Sequence, residues 1–329
     1  MELLNKSVLI TGAGGFIGLH VVRLFSENNW EITAVVHKNI PDELKTLNNV
    51  KIIQADITDK HVLSQITQQP DVVVHVAGLA SDIGSDALFK KINFETVKTF
   101  SRLAKIKFIY ISSTDVYGIK DFSGEDEDTL PFADKPINPY PKYKIESEKW
   151  IRTNLDKNYY VIIRPADVWG EGDKTLESRV VDFLKSSPFI VHFGKWKGKN
   201  RWPLADVESV AKAIYVCANT DDFNGEAINI IDEKFTTIDE FYRDIAKKHF
   251  PNKRFRTIML PFWTGYILGI ISTSLSNLLK LRQPIFDPSH YAIYHVSSNL
   301  DFSCEKMKKV LEYYLTKESC FKKILPDIG

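Results

Sequence analysis

Tyr140 and Lys144 stand four residues apart in Tyr140-Pro141-Lys142-Tyr143-Lys144, just ahead of the run IESEKWIRTNL. Side chains at that spacing share one helix face. A free phenol ionises near pH 10 and is a weak base at neutrality; a neighbouring ammonium favours the phenolate. The pair predicts proton transfer to or from a hydroxyl or carbonyl oxygen, with the lysine tuning the phenol. A further hydroxyl lies upstream in Ile111-Ser112-Ser113-Thr114-Asp115-Val116-Tyr117-Gly118, where an apolar run ends. In open α/β sheets ligands bind at the carboxyl ends of strands. Ser113 is the first choice to hold a substrate oxygen and Thr114 its competitor, against simple strand-end capping for both.

The N-terminus offers a seat for a dinucleotide. Thr11-Gly12-Ala13-Gly14-Gly15-Phe16-Ile17-Gly18 follows an apolar run and opens a helical one, with glycines at 12, 15 and 18. Gly12 permits the tight turn, Gly15 clears space for a pyrophosphate, and Gly18 lets helix and sheet approach. The amides that follow, from Phe16 and Ile17 onward, are suited to an anion. NAD sites favour an acidic residue at the end of the second strand. This chain has Val35-Val36-His37-Lys38 there, so NADP is favoured over NAD, unless His37 and Lys38 merely face solvent. Asp56 and Ile57 close the third strand near the expected adenine edge. Ala77 and Gly78 follow the fourth, where small residues admit the cofactor; His75 reads as structural.

Six runs must position these groups: SVLITG, EITAVV, VKIIQA, DVVVHV, KFIYIS and YVIIRP. Their nearly continuous apolar character suits strands covered on both faces. Helical segments at Phe16–Asn28, Lys60–Gln68 and Asp86–Lys105 alternate with them. The pattern predicts an α/β fold with a doubly wound parallel sheet of the Rossmann type. Beyond Arg164-Pro165 a helix is expected over Asp173–Lys185, another over Val207–Asn219, and a strand over Ala227–Ile231. The last two are expected to rejoin the main sheet. The dinucleotide-binding part is then 1–165 plus about 206–232, and a smaller, interleaved substrate-binding part is 166–205 plus about 233–329.

The length of 329 residues is enough for two such units. A net charge of +1 leaves no electrostatic footprint for nucleic acid, which excludes that partner class. Cys217, Cys304 and Cys320 form neither a metal-spaced cluster nor a disulfide framework, so no metal is expected. Such usage fits a reducing cytosol, and the start MELLNKSVLITG lacks the features of a signal peptide. The exception to an ordinary soluble composition is the charge-free stretch from Thr257 to Leu279. It is read first as a buried or substrate-covering helix, and secondarily as a contact with a membrane surface. Lys195, Lys197, Lys199 and Arg201 form either a solvated loop or a clamp for a substrate diphosphate.

With these motifs in place, the chain resembles the extended short-chain dehydrogenases, the NAD-dependent epimerase/dehydratase group. TGAGGFIG is similar to the family's glycine motif, SSTDVYG to its serine motif, and YPKYK to its Tyr-x-x-x-Lys signature. RPADVWGEGD is similar to its Arg-Pro…Tyr-Gly-Pro-Gly-Asp segment, with Trp169 and Glu171 substituted. The resemblance implies a site of Ser113, Tyr140 and Lys144, with Asn93 as a structural or proton-relay residue. It also implies a small-molecule substrate and a possible homodimer. SDIGSDALFKKINFETV and the C-terminal region are similar to the 3β-hydroxysteroid dehydrogenase-like branch. Sugar-nucleotide dehydratases of the group carry an acidic pair after the catalytic hydroxyl; Thr114 and Asp115 stand there, so one carboxyl is missing. The expected reaction is reversible hydride transfer at a secondary alcohol or ketone, of steroid-like, β-keto acyl or keto-sugar type. The alternative is a sugar-nucleotide epimerase that retains NAD.

Overall fold

The computed structural model describes residues 6–281 and 283–322, with side chains through residue 315. Cys320 and the first five residues therefore lie outside the described side chains. The six apolar runs form strands Ser7–Thr11, Glu31–Val36, Val50–Gln54, Val72–His75, Lys107–Ile111 and Tyr160–Pro165, and Ala227–Ile230 joins them. The sheet order is 227–230, 160–165, 107–111, 72–75, 7–11, 31–36, 50–54, and every pairing is parallel. The chain winds outward from 7–11 to 50–54, returns to 72–75 and winds outward the other way. Strands 7–11 and 72–75 thus flank the point where the connections part, and a crevice opens at their carboxyl ends.

Both faces of the sheet are covered. Helices Phe16–Glu27 and Val207–Asn219 pack on one, where Phe25 meets Tyr215 edge-on with ring centres 5.2 Å apart. Val97, Phe100, Phe108, Tyr110 and Ile151 fill the other. A third apolar cluster, including Val180, Leu184, Trp202, Phe241 and Ile245, joins helices Leu176–Ser186 and Ile238–His249. Beside it, strand Phe189–Phe193 pairs in parallel with Arg256–Leu260.

Several helices differ from expectation. The segment expected from Asp173 becomes helical only at Leu176, because the Asp173 carboxylate accepts hydrogen bonds from the amides of Thr175, Leu176 and Glu177. The segment expected over Asp86–Lys105 stops at Phe100 and contains a wide turn over Lys90–Glu95. The segment from Lys60 is helical only over His61–Gln65.

The charge-free stretch departs furthest. Pro261 divides it into strand Arg256–Leu260 and helix Phe262–Leu278, and that helix is not buried on its large side chains. Gly265, Gly269, Ser272 and Ser276 face inward, while Trp263 is 62% exposed, Ile271 44% and Leu278 77%. The inward face is too crowded for larger residues: a Cβ at Gly269 would lie 2.9 Å from the Cα of His290. No described helix is long and apolar enough to cross a membrane.

Candidate active site

Helix Pro139–Asn154 carries the phenol and the ammonium. Asn138 caps it by accepting from the Tyr140 amide at 2.9 Å, and Pro139 suits its first turn. Its inner face is bound to the sheet by charge. Glu148, fully buried, accepts from Arg164 at 2.9 and 2.5 Å and from the Ser112 hydroxyl at 2.5 Å. Arg164 also donates to the Tyr117 hydroxyl at 2.6 Å, which donates to Asn229 at 2.8 Å. Removing one partner of such a pair costs about 3–5 kcal/mol. The network therefore sets the height of Tyr140 and Lys144 above the ends of strands 107–111 and 160–165.

Ser113, Tyr140 and Lys144 converge on one cleft of about 120 Å³, shared with Ile17, Gly78 and Ala166. Thr114 does not line it; it begins the tight turn Thr114–Tyr117, and Ser113 Oγ accepts from the Asp115 amide at 3.2 Å. The Ser113 hydroxyl and the Tyr140 phenol face the same cleft. The electrostatics correct the expectation of a phenol acidified by Lys144. Lys144 Nζ donates to the Ile111 carbonyl at 2.6 Å and lies 5.7 Å from the centre of the Tyr140 ring. Burial, with the carboxyl of Asp115 nearby, holds Tyr140 above its ordinary value, and the influence of the Ser113 hydroxyl opposes this only in part. Burial brings Lys144 down to about 8. Tyr140 is thus neutral at ordinary pH.

Asn93 sits in the wide turn with 1% exposure. Its side chain accepts from the Leu79 amide at 2.7 Å and donates to the Leu79 carbonyl at 3.0 Å, while its own carbonyl accepts from Ser147 at 2.8 Å. It ties the segment after Gly78 to helix Pro139–Asn154. His75 lies between Thr11 and Thr96 at 2.9 and 3.1 Å, and burial lowers it to about 3, so it stays neutral as a structural residue.

The glycine turn fits a dinucleotide. Gly12 has φ +69°, and a Cβ there would lie 2.9 Å from the backbone of Ala77; at Gly18 it would lie 2.1 Å from the Gly12 carbonyl oxygen. No side chain caps the helix that starts at Phe16, which leaves its N-terminus for an anion. His37 and Lys38 are exposed at the end of strand 31–36, and His37 lies 3.8 Å from Asp56. Ala77 backs the glycine turn, and Ile57 follows Asp56 at the same edge.

A second, largely apolar cavity of about 340 Å³ is lined by Val180, Phe183, Phe193, Trp202, Leu268 and Tyr291, with Asp167, Arg179 and His295 at polar points. The Tyr291 hydroxyl donates to Asp115 at 2.9 Å, so one bond joins the wall of this cavity to the turn Thr114–Tyr117. Burial raises the Asp115 carboxyl to about 6. Sequence reasoning noticed Asp115 only as half of an incomplete pair and missed Tyr291 and Arg179, which carry no motif. The diphosphate clamp does not form: Arg201 is bound to Asp301, Lys195 to Asp121, and none of the four cations lines either cavity. Among the described residues no group of three or more His, Cys, Asp or Glu is placed to hold a metal ion.

An uncapped glycine turn at the switch point of a parallel sheet, opening beside a Ser, Tyr and Lys cleft, defines a nicotinamide-dependent enzyme of the Rossmann class. The chain belongs to the NAD dependent epimerase/dehydratase family, whose profile matches residues 8–230. It is similar to the decarboxylating sterol-4-alpha-carboxylate 3-dehydrogenase of Candida albicans, 26% identical across 94% of this chain and 93% of the relative. It is also similar to a putative UDP-glucose 4-epimerase of Methanocaldococcus jannaschii, 27% identical across 73% of this chain and 81% of the relative. Among solved structures, the UDP-glucuronic acid 4-epimerase of Bacillus cereus, in complex with UDP-glucuronic acid and NAD, shares the fold. Its TM-score is 0.69 at 20% identity, over 97% of this chain and 100% of the other.

Proposed function

We propose that the protein is an NADP-preferring dehydrogenase or reductase that interconverts an apolar secondary alcohol and its ketone. The observation that carries this reading is the convergence of Ser113, Tyr140 and Lys144 on one cleft beside the glycine turn. Gly12, Gly15, Phe16, Ile17 and Gly18 hold the pyrophosphate, Asp56 and Ile57 meet the adenosine, and His37 and Lys38 receive the 2′-phosphate. Ala77 and Gly78 wall the cleft. A bound nicotinamide supplies the hydride donor or acceptor. Ser113 holds the substrate oxygen. Tyr140, neutral through burial, gives its proton to the ketone oxygen in reduction; in oxidation it must first lose that proton, and its phenolate then takes the proton of the alcohol. Lys144 holds the cofactor ribose, and Asn93 positions the segment after Gly78. The dinucleotide is bound by 1–165 with about 206–232, the substrate by 166–205 with about 233–329. In this reading the enzyme works in the cytoplasm, with a membrane surface in reach of 257–279.

The apolar lining of the second cavity supports an apolar substrate, as does similarity to a sterol dehydrogenase over nearly the whole chain. The epimerase reading draws on the Methanocaldococcus relative; it requires NAD retained through purification, visible by absorbance. Tyr140→Phe should lower turnover by about 10²–10⁴-fold with cofactor affinity kept. Wild-type turnover in that variant would overturn the assignment. Equal or tighter binding of NAD than NADP in a titration would overturn the roles of His37 and Lys38.

A further inference from the structure

Helix Phe262–Leu278 is built inside out. Trp263, Ile267, Ile270, Ile271, Leu275 and Leu278 recur at helical spacing on one face, and each is at least 39% exposed. The face continues into exposed Leu279, Leu281, Ile285 and Phe286. Contiguous exposed apolar surface of this kind marks an interaction site. The surrounding sequence says what covers it. Between Asp244 and Asp287 the chain has no acidic residue; Lys248 is paired with Glu177 and Lys253 is bound to the carbonyls of Leu184 and Ser187, while Lys247, Arg254, Arg256 and Lys280 are exposed. Arg254, Arg256 and Lys280 are exposed at the two ends of the apolar segment. A twofold contact between two copies would set this cationic, acid-free segment against itself. Anionic headgroups with acyl chains behind them match both its charge and its apolar face. Trp263, at one end of the stripe, suits the headgroup boundary.

We propose that this face docks on an anionic phospholipid bilayer, and that the apolar cavity behind the helix is filled from the lipid side. Leu268 belongs to both surfaces: it is 44% exposed and lines the cavity with Leu260. The helix is therefore the partition between the lipid surface and the substrate space. The second half of the proposal rests on the reading of the substrate as an apolar alcohol; the docking half does not.

The test is sedimentation with phosphatidylcholine vesicles with and without phosphatidylserine, using the whole chain and the double variant Ile267→Asp/Ile271→Asp. The wild type should pellet with the phosphatidylserine vesicles, less as salt is raised, and the variant about tenfold less. NADP titration and thermal melting of the variant should match wild type, which separates lost docking from lost folding. Wild type left in the supernatant, or equal pelleting of both, overturns docking. So does a dimer on size exclusion that the double variant converts to monomer while vesicles bind neither. For the route, turnover of a sterol in vesicles should fall in the variant, while turnover of the same sterol in detergent micelles should not. An equal fall in both overturns the route. Absence of turnover in any format counts against the enzymatic reading and leaves the docking result standing.

Discussion

Helices Pro139–Asn154 and Phe262–Leu278 solve opposite problems. The first hides a carboxylate and pairs it: Glu148 lies fully buried against Arg164 and Ser112, and the helix shows the cleft only Tyr140 and Lys144. The second hides glycines and serines and shows solvent its tryptophan, isoleucines and leucines. Hydrophobicity alone does not say which face of a helix turns inward. A buried charge is placed by the partners that can satisfy it. An apolar helix is placed by how closely its neighbour approaches, and at Gly265 a Cβ would meet Ile293 at 2.4 Å.

The largest effect is expected from Arg164→Met, which strands the Glu148 carboxylate and should cost about 3–5 kcal/mol of stability, read as a lower denaturant midpoint. A fall under 1 kcal/mol, on the order of an exposed pair, would show that the network does not hold the helix. Next is Gly269→Ala, expected to cost about 1–3 kcal/mol by overpacking against the backbone of His290; an unchanged melting temperature would show that the helix can shift outward freely.

A smaller gain is expected from Asp115→Asn, which keeps an acceptor for the Tyr291 hydroxyl. The folded state raises this carboxyl from 3.8 to about 6, so its charged form opposes folding. The penalty is absent below the unfolded value, grows as pH rises towards 6 and is complete above it. The variant should therefore melt higher than wild type at pH 7 to 8, and the difference should fade below about pH 4. A constant difference across that range would dismiss the carboxyl as its source. The smallest effect belongs to Ile271→Asn on the outer face of the second helix, within about 0.5 kcal/mol in the absence of lipid; a loss like that of Gly269→Ala would mean the face is covered within the chain.

Much of the sheet was legible because its strands must be apolar on both faces, and runs such as VVVH and KFIYI admit few other readings. The cleft was legible for a related reason. A turn at Gly12 and a phenol with an amine four residues on are local patterns, so spacing alone brings them into view. What escaped is long-range. The bond between Tyr291 and Asp115 joins residues far apart in the chain, and the pairing of 189–193 with 256–260 depends on Pro261 breaking a segment that otherwise reads as one helix. The direction of the Lys144 ammonium also escaped, since the Ile111 carbonyl that claims it belongs to strand 107–111, distant in sequence from the helix that carries the lysine.

The position of strand 227–230 has a consequence for the life of the chain before it is complete. Its seat on the edge of strand 160–165 is made first, and residues 166–226 must leave the ribosome before the occupant arrives. At about 5–20 residues per second this is a delay of several seconds. Through that interval an apolar strand edge is open to any other nascent strand. Crowded polysomes are thus the setting in which this protein is most prone to stick to its siblings, and slowing translation after Pro165 should worsen the yield rather than improve it.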